Sequence, residues 1–86
     1  MILGEEVLKV LNKTYEPSTF VEAKFKRYDL GFKTDETGRP ILLFMGQKVE
    51  NGKIKGERFA RRLTFDKDGK VLKDHWDNKG KATSQQ

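Results

Sequence analysis

The chain has 86 residues and a mass of 10.0 kDa, which leaves room for one hydrophobic core and no second domain. It contains no cysteine and one histidine, His75, so disulfides, iron–sulfur clusters, thiolate zinc sites and multi-histidine metal sites are excluded, and we expect no metal or other cofactor. The formal net charge of +5, with a pI near 9.6, suits a polyanionic partner and also serves solubility.

The first residues do not have the pattern of a secretory signal. Glu5 and Glu6 come directly after Gly4, whereas a signal needs a basic start and an apolar stretch of about 7–15 residues. The longest apolar run, Ile41–Met45, is far shorter than the ~20 residues that span a bilayer. We therefore expect a soluble cytoplasmic protein without a membrane partner.

Apolar residues at three- and four-residue spacings predict an amphipathic helix over residues 3–14. Glutamates in its first turn and Lys13 in its last suit the helix dipole, and Pro17 prevents continuation. The rest of the chain must cover the apolar stripe of this helix, which consists of Leu3, Val7, Leu8, Val10, Leu11 and Tyr15.

Three segments of one shared form predict tight turns between β-strands. Each has a glycine followed directly by a cation: Glu36-Thr37-Gly38-Arg39, Glu50-Asn51-Gly52-Lys53 and Lys67-Asp68-Gly69-Lys70. Glycine suits these positions because hairpin turns place a residue at positive φ. We expect strands at about 19–33, 40–49, 53–65 and 70–77, the first with a bulge at Asp29-Leu30-Gly31.

The predicted fold is therefore of the α+β class, with an N-terminal amphipathic helix packed on a four-stranded antiparallel β-meander. We expect residues 1–78 to form a single domain. Residues 79–86 lack periodicity and large apolar side chains, which predicts a disordered tail.

The predicted strand over residues 40–49 is apolar on both faces. If Asn51-Gly52 makes a two-residue turn, Phe44 lies opposite Phe59 and Leu43 opposite Ala60. Apolar residues on both sides of an antiparallel strand indicate that both faces are covered, and one helix covers only one of them. Either the sheet curls into a small barrel, or its second face docks on a ligand or another copy through Leu43, Met45, Val49 and Ile54.

Two basic segments interleave cations with aromatic residues. Cations neutralise phosphates and aromatic rings stack on bases, so the pattern is typical of β-sheet modules that hold single-stranded nucleic acid, and it also fits a solvated face. The candidate nucleic-acid or anion-binding residues are Lys53, Lys55, Arg58, Arg61 and Arg62 around Phe59, and Lys24, Lys26 and Arg27 around Phe25 and Tyr28.

Arg61 shares an apolar face with Phe59, because alternate residues of a strand point the same way. A buried arginine without a partner is very costly. We therefore expect Arg61 to pair with Asp74 or Asp77, and the alternative is that it binds an anionic ligand.

No constellation of residues predicts catalysis. Asp74 and His75 are neighbours on a strand and point to opposite faces, and Asp66-Lys67-Asp68-Gly69 lacks the later ligands of a calcium loop. Trp76 is expected in the core or covering a sheet edge. We therefore expect a non-catalytic binding module for a protein partner or for itself. The alternatives are a domain that binds single-stranded nucleic acid and a small barrel that holds an apolar or anionic ligand.

Overall fold

One short helix precedes a five-stranded antiparallel meander in this computed structural model, which describes residues 3–84. The elements are α1 (Glu5–Leu11), β1 (Phe20–Phe25), β2 (Tyr28–Thr34), β3 (Pro40–Lys48), β4 (Ile54–Phe65) and β5 (Val71–Thr83). Each strand pairs with its neighbour in sequence, in the order β1-β2-β3-β4-β5. The predicted α+β class and the meander are confirmed, whereas the sheet has five strands instead of four and is not closed into a barrel.

The segment predicted as one strand over residues 19–33 is two strands. Phe25 pairs with Tyr28, so Lys26 and Arg27 form a two-residue turn between β1 and β2. Lys26 has a φ of 56°, in the left-handed region that glycine usually occupies. This turn could not be predicted from the sequence because it contains no glycine. The bulge predicted at Asp29-Leu30-Gly31 lies instead between Lys33 and Thr34.

The predicted disordered tail is wrong for residues 79–84. β5 continues to Thr83, with Lys81 opposite Glu57, and a bulge that contains Gly80 at a φ of 88° precedes this pair. Ser84 is buried, and its hydroxyl accepts a 2.9 Å hydrogen bond from the backbone N–H of Ile54. Residues 85 and 86 lie outside the described residues.

The three glycine turns share one geometry, as their common sequence form predicts. In the β3–β4 turn the N–H of Val49 donates to the carbonyl of Lys53 at 2.8 Å, and the N–H of Gly52 donates back to Val49 at 2.9 Å. The turns before Arg39 and Lys70 repeat these two bonds. Each loop therefore holds three residues.

The third loop residue shifts the β3–β4 register by one position from the predicted one. Phe59 lies opposite Leu43, and Arg58 lies opposite Phe44. Because alternate residues of a strand point to opposite faces, a shift of one residue places every β4 side chain on the opposite face of the sheet from the predicted one. Phe59 consequently joins the helix side of the sheet.

The core lies between α1 and the face of the sheet that α1 covers, here called the first face. Val7 and Leu11 of the helix belong to this buried cluster, and Tyr15 packs edge-on against Phe32 with ring centroids 4.9 Å apart. The helix is shorter than predicted, since Asn12 caps its carboxyl end. The sheet contributes Leu30, Phe32, Leu43, Met45 and Phe59 to the cluster.

The opposite side of the sheet, here called the second face, is partly covered by the chain itself. Gly46 and Gly56 face each other, and a Cβ at Gly46 would lie 2.7 Å from the Cα of Gly56, so the strands approach closely there. Beyond this pair the β3–β4 hairpin lies over β1 and β2. Lys48 reaches Glu22 with a 2.7 Å ion pair.

This hairpin encloses a small apolar cluster on the second face. Ile54 and Phe44 are 1% and 3% exposed, and a Cβ at Gly31 would meet Ile54 and the ring of Phe20 at 2.7 and 2.6 Å. The rings of Phe20 and Phe44 are 6.5 Å apart. The chain itself thus covers β3 on its first face with α1 and, at Phe44, on its second face with the hairpin, although the sheet is not closed into a barrel.

Candidate functional site

The predicted basic residues are not brought together at one site. Arg61 and Lys55 lie on the first face, whereas Arg58 and Arg62 lie on the second. Phe59 is 2% exposed and offers no ring to a base. Three other predicted cations have neighbours in the structure: Lys24 pairs with Asp29 at 3.6 Å, Lys26 with Glu6 at 3.3 Å, and Arg27 lies over the Tyr28 ring at 5.6 Å. Lys53 follows the β3–β4 turn.

Arg61 forms a bidentate ion pair with Asp74, which confirms one of the two predicted partners. Its Nε donates to Oδ1 at 2.7 Å and its Nη2 to Oδ2 at 2.6 Å. The hydrogen bonds from Arg61 lower the pKa of the Asp74 carboxyl below its usual value, although burial opposes the shift. The Arg61 side chain is only 6% exposed.

The remaining donors of Arg61 reach the carboxyl end of α1 and the start of β3. Nη1 donates to the carbonyls of Leu11 and Pro40 at 3.2 and 3.1 Å, and Nη2 also donates to the Asn12 side chain at 3.1 Å. All five N–H groups of the guanidinium therefore have acceptors within the chain. Arg61 ties the end of α1 to β3 and β5 and has no donor left for an anionic ligand.

Part of the second face remains open and carries four cations. Lys33, Leu42, Ala60 and Asp77 form one row across β2 to β5, with Arg58 on one side of the row and Arg62 on the other. We call this region the open face, and its cations are Lys33, Arg58, Arg62 and Lys73. Its carboxylate, Asp77, lies 3.6 Å from the guanidinium of Arg62 and 2.9 Å from the imidazole of His75. Lys33 and Lys73 were not predicted, because their face follows only from the observed registers.

Large apolar side chains are exposed at the far end of the β4–β5 hairpin. Phe65 and Val71 pair across the strands and are each 44% exposed, while Leu72, in a bulge beside them, is 68% exposed. The guanidinium of Arg39 lies 5.2 Å from the centre of the Phe65 ring. We call Phe65, Val71 and Leu72 the hairpin end.

The interaction face predicted from sequence is not a surface of this fold. Leu43, Met45 and Ile54 are 0%, 5% and 1% exposed, and they lie on two different faces of the sheet. Of the four predicted residues only Val49 is exposed, at 37%. These positions are buried because α1 covers Leu43 and Met45 on the first face, whereas the folded-over hairpin encloses Ile54 on the second.

A shallow depression of about 570 Å³ lies between α1 and β5. Phe59, which belongs to the core, and Trp76, which packs against the core, both line it. The prediction that Trp76 lies in the core or covers a sheet edge is therefore confirmed. The carboxylates that line it are already paired, Asp74 with Arg61 and Asp77 with Arg62, and the imidazole of His75 lies 2.9 Å from Asp77. Asp74 and His75 point to opposite faces as predicted, and the depression offers a ligand no unpaired charge among the described residues.

Within residues 3–84, no group of three or more histidine, aspartate or glutamate side chains is placed to hold a metal ion. No helix in the same range is long and apolar enough to cross a membrane. Comparison with protein-family models, with curated proteins and with solved structures gives no match. Functional argument therefore depends on the open face and the hairpin end.

Proposed function

We propose that this chain is a non-catalytic cytoplasmic binding module whose partner is another protein, held at the hairpin end. The observation that carries the proposal is the exposure of Phe65, Val71 and Leu72 side by side; among the described residues, the other exposed large apolar side chain is Val49, on a different turn. Grouped exposed apolar side chains with a polar border are typical of protein interaction sites.

The charges around the hairpin end favour a different protein over a second copy. Four cations and two carboxylates surround it: Arg39, Lys67, Lys70 and Lys73 against Asp66 and Asp68. Asp66 already accepts hydrogen bonds from the N–H groups of Asp68 and Lys70, each at 2.8 Å. A second copy would bring like charges together, whereas an apolar partner surface with an acidic border complements them.

Selection from a random displayed-peptide library tests this proposal with the purified protein as bait. Enriched peptides should combine apolar and acidic residues, and Leu72→Ser should weaken their binding at least tenfold because Leu72 is the most exposed anchor. Val49→Ser is the matched control, since Val49 is 37% exposed on another turn and should leave binding unchanged. Equal loss in both variants, or no enrichment, contradicts the proposal.

Sedimentation equilibrium of the same protein decides between the two kinds of partner. We expect a monomer at all concentrations. A dimer that Leu72→Ser abolishes would assign the hairpin end to self-association instead.

A further inference from the structure

The open face adjoins the hairpin end at Lys73 and differs from it in chemistry. Its four cations exceed its single carboxylate by three charges, out of a formal net charge of +5 for the whole chain. The carboxylate is shared by Arg62 and His75, whereas Lys33, Arg58 and Lys73 have no ion pair among the described residues. This region therefore carries a local excess of three positive charges on one side of the sheet.

Rings lie at both ends of this charged region. Phe20 on β1 pairs with Lys33; its ring packs near Phe44 in the apolar cluster, but the residue is only half-buried. His75 on β5 pairs with Arg62, and its side chain is 64% exposed. A cation beside a ring is the combination that holds a phosphate and a stacked base together. Leu42 and Ala60 between the two ends are uncharged and half-buried. Asp77, the carboxylate of the open face, follows Ala60 in the row and is paired with Arg62.

We propose that the open face binds single-stranded nucleic acid running across the strands from Phe20 and Lys33 on one side to Arg62 and His75 on the other. Four inter-strand steps of about 4.8 Å separate β1 from β5, a span of ~19 Å that suits a strand of about four nucleotides. A duplex would keep its bases stacked away from the two rings. An acidic polypeptide would match the cations and leave the rings unused.

Fluorescence anisotropy with a labelled 12-nucleotide oligo(U) or oligo(dT) at low salt tests the proposal. The double variant Lys33→Gln, Arg58→Gln should bind at least tenfold more weakly, and its salt slope should fall by about 1.4, because each phosphate contact on a single strand contributes ~0.7. The control Lys9→Gln, Lys13→Gln removes the same charge from exposed positions on and beside α1 and should change neither quantity. His75→Ala should weaken binding about fivefold without changing the salt slope.

Several outcomes would overturn the assignment. Equal losses in the open-face and control variants would mean that net charge alone attracts the oligonucleotide. Competition by poly-glutamate at equal charge concentration would assign the face to an acidic polypeptide. Equally tight binding of a duplex of the same length, or no measurable binding at low salt, would also contradict it. Thermal unfolding of each variant verifies that these exposed substitutions leave the fold intact.

Discussion

Arg61 shows how one buried charge is tolerated in a small domain. Its guanidinium meets Asp74 and three further acceptors, so burial leaves no donor unpaired. The strand alternation of the sequence placed Arg61 on an apolar face and predicted its need for a carboxylate. The contacts with Leu11, Asn12 and Pro40 could not be predicted, because they depend on where the helix ends relative to the sheet.

Replacing Arg61 with alanine should destabilise the protein by ~3 kcal/mol, since Asp74 and the carbonyls of Leu11 and Pro40 would all lose their donor. Urea denaturation measures the change. Arg62→Ala is the control: its side chain is 68% exposed and its ion pair with Asp77 is 3.6 Å long, so we expect less than ~0.5 kcal/mol. Similar losses in the two variants would refute the structural role of Arg61.

The lowered pKa of Asp74 predicts a dependence of stability on pH. Because the folded-state pKa lies below the unfolded value, the carboxylate stabilises the fold above the unfolded pKa, near 3.9, and this contribution disappears as pH falls through the folded value. Asp74→Asn should therefore be less stable than the unaltered protein at pH 7, and the gap should narrow below pH ~4. Denaturation midpoints across this range measure the gap; a gap that is independent of pH would contradict the prediction.

Other carboxylates contribute to the same acid sensitivity. The backbone N–H of Lys48 lowers the pKa of Asp29. Burial raises the pKa of Asp35, but hydrogen bonds from Thr37 and Arg39 outweigh it, and the net shift is downward. Asp74→Asn should consequently remove only part of the acid transition.

At the scale of elements, the turns decided which parts of the fold the sequence could predict. The glycine turns at Gly38, Gly52 and Gly69 were visible because only glycine adopts their positive φ cheaply. Lys26 adopts a similar φ without glycine, so one strand was predicted where two exist. The length of the Gly52 loop was not visible, and one residue more in it moved the side chains of β4 to the opposite face.

Alanine substitutions at the three turn glycines separate the cost of a positive φ from the cost of a steric clash made by the added Cβ. Gly52→Ala and Gly69→Ala should each cost ~1 kcal/mol, because their φ values of 82° and 83° are strained for alanine while a Cβ would meet nothing within 4 Å. Gly38→Ala should cost clearly more, since its Cβ would also collide with the carbonyl of Tyr15. Chemical denaturation ranks the three variants, and an equal cost at all three would show that crowding at Gly38 is relieved.

At the scale of the whole molecule, the two candidate surfaces follow from how much sheet one short helix leaves uncovered. α1 covers the middle of the first face, and the β3–β4 hairpin covers one part of the second. The hairpin end and the open face are what remain. The sequence predicted that both faces of β3 need cover, but it could not show that a close approach at Gly46 and Gly56 lets the chain supply that cover.

The strand order β1-β2-β3-β4-β5 also determines how the chain can reach this fold. Every ladder joins neighbours in sequence, so each pairing closes only a short loop and little chain entropy is lost before contacts form. No strand must wait for a distant one, unlike in Greek-key sheets. The exception is α1, whose packing against β2, β3 and β4 requires those strands to be assembled. We therefore expect docking of the helix to be the late, cooperative step that converts a set of local hairpins into one domain.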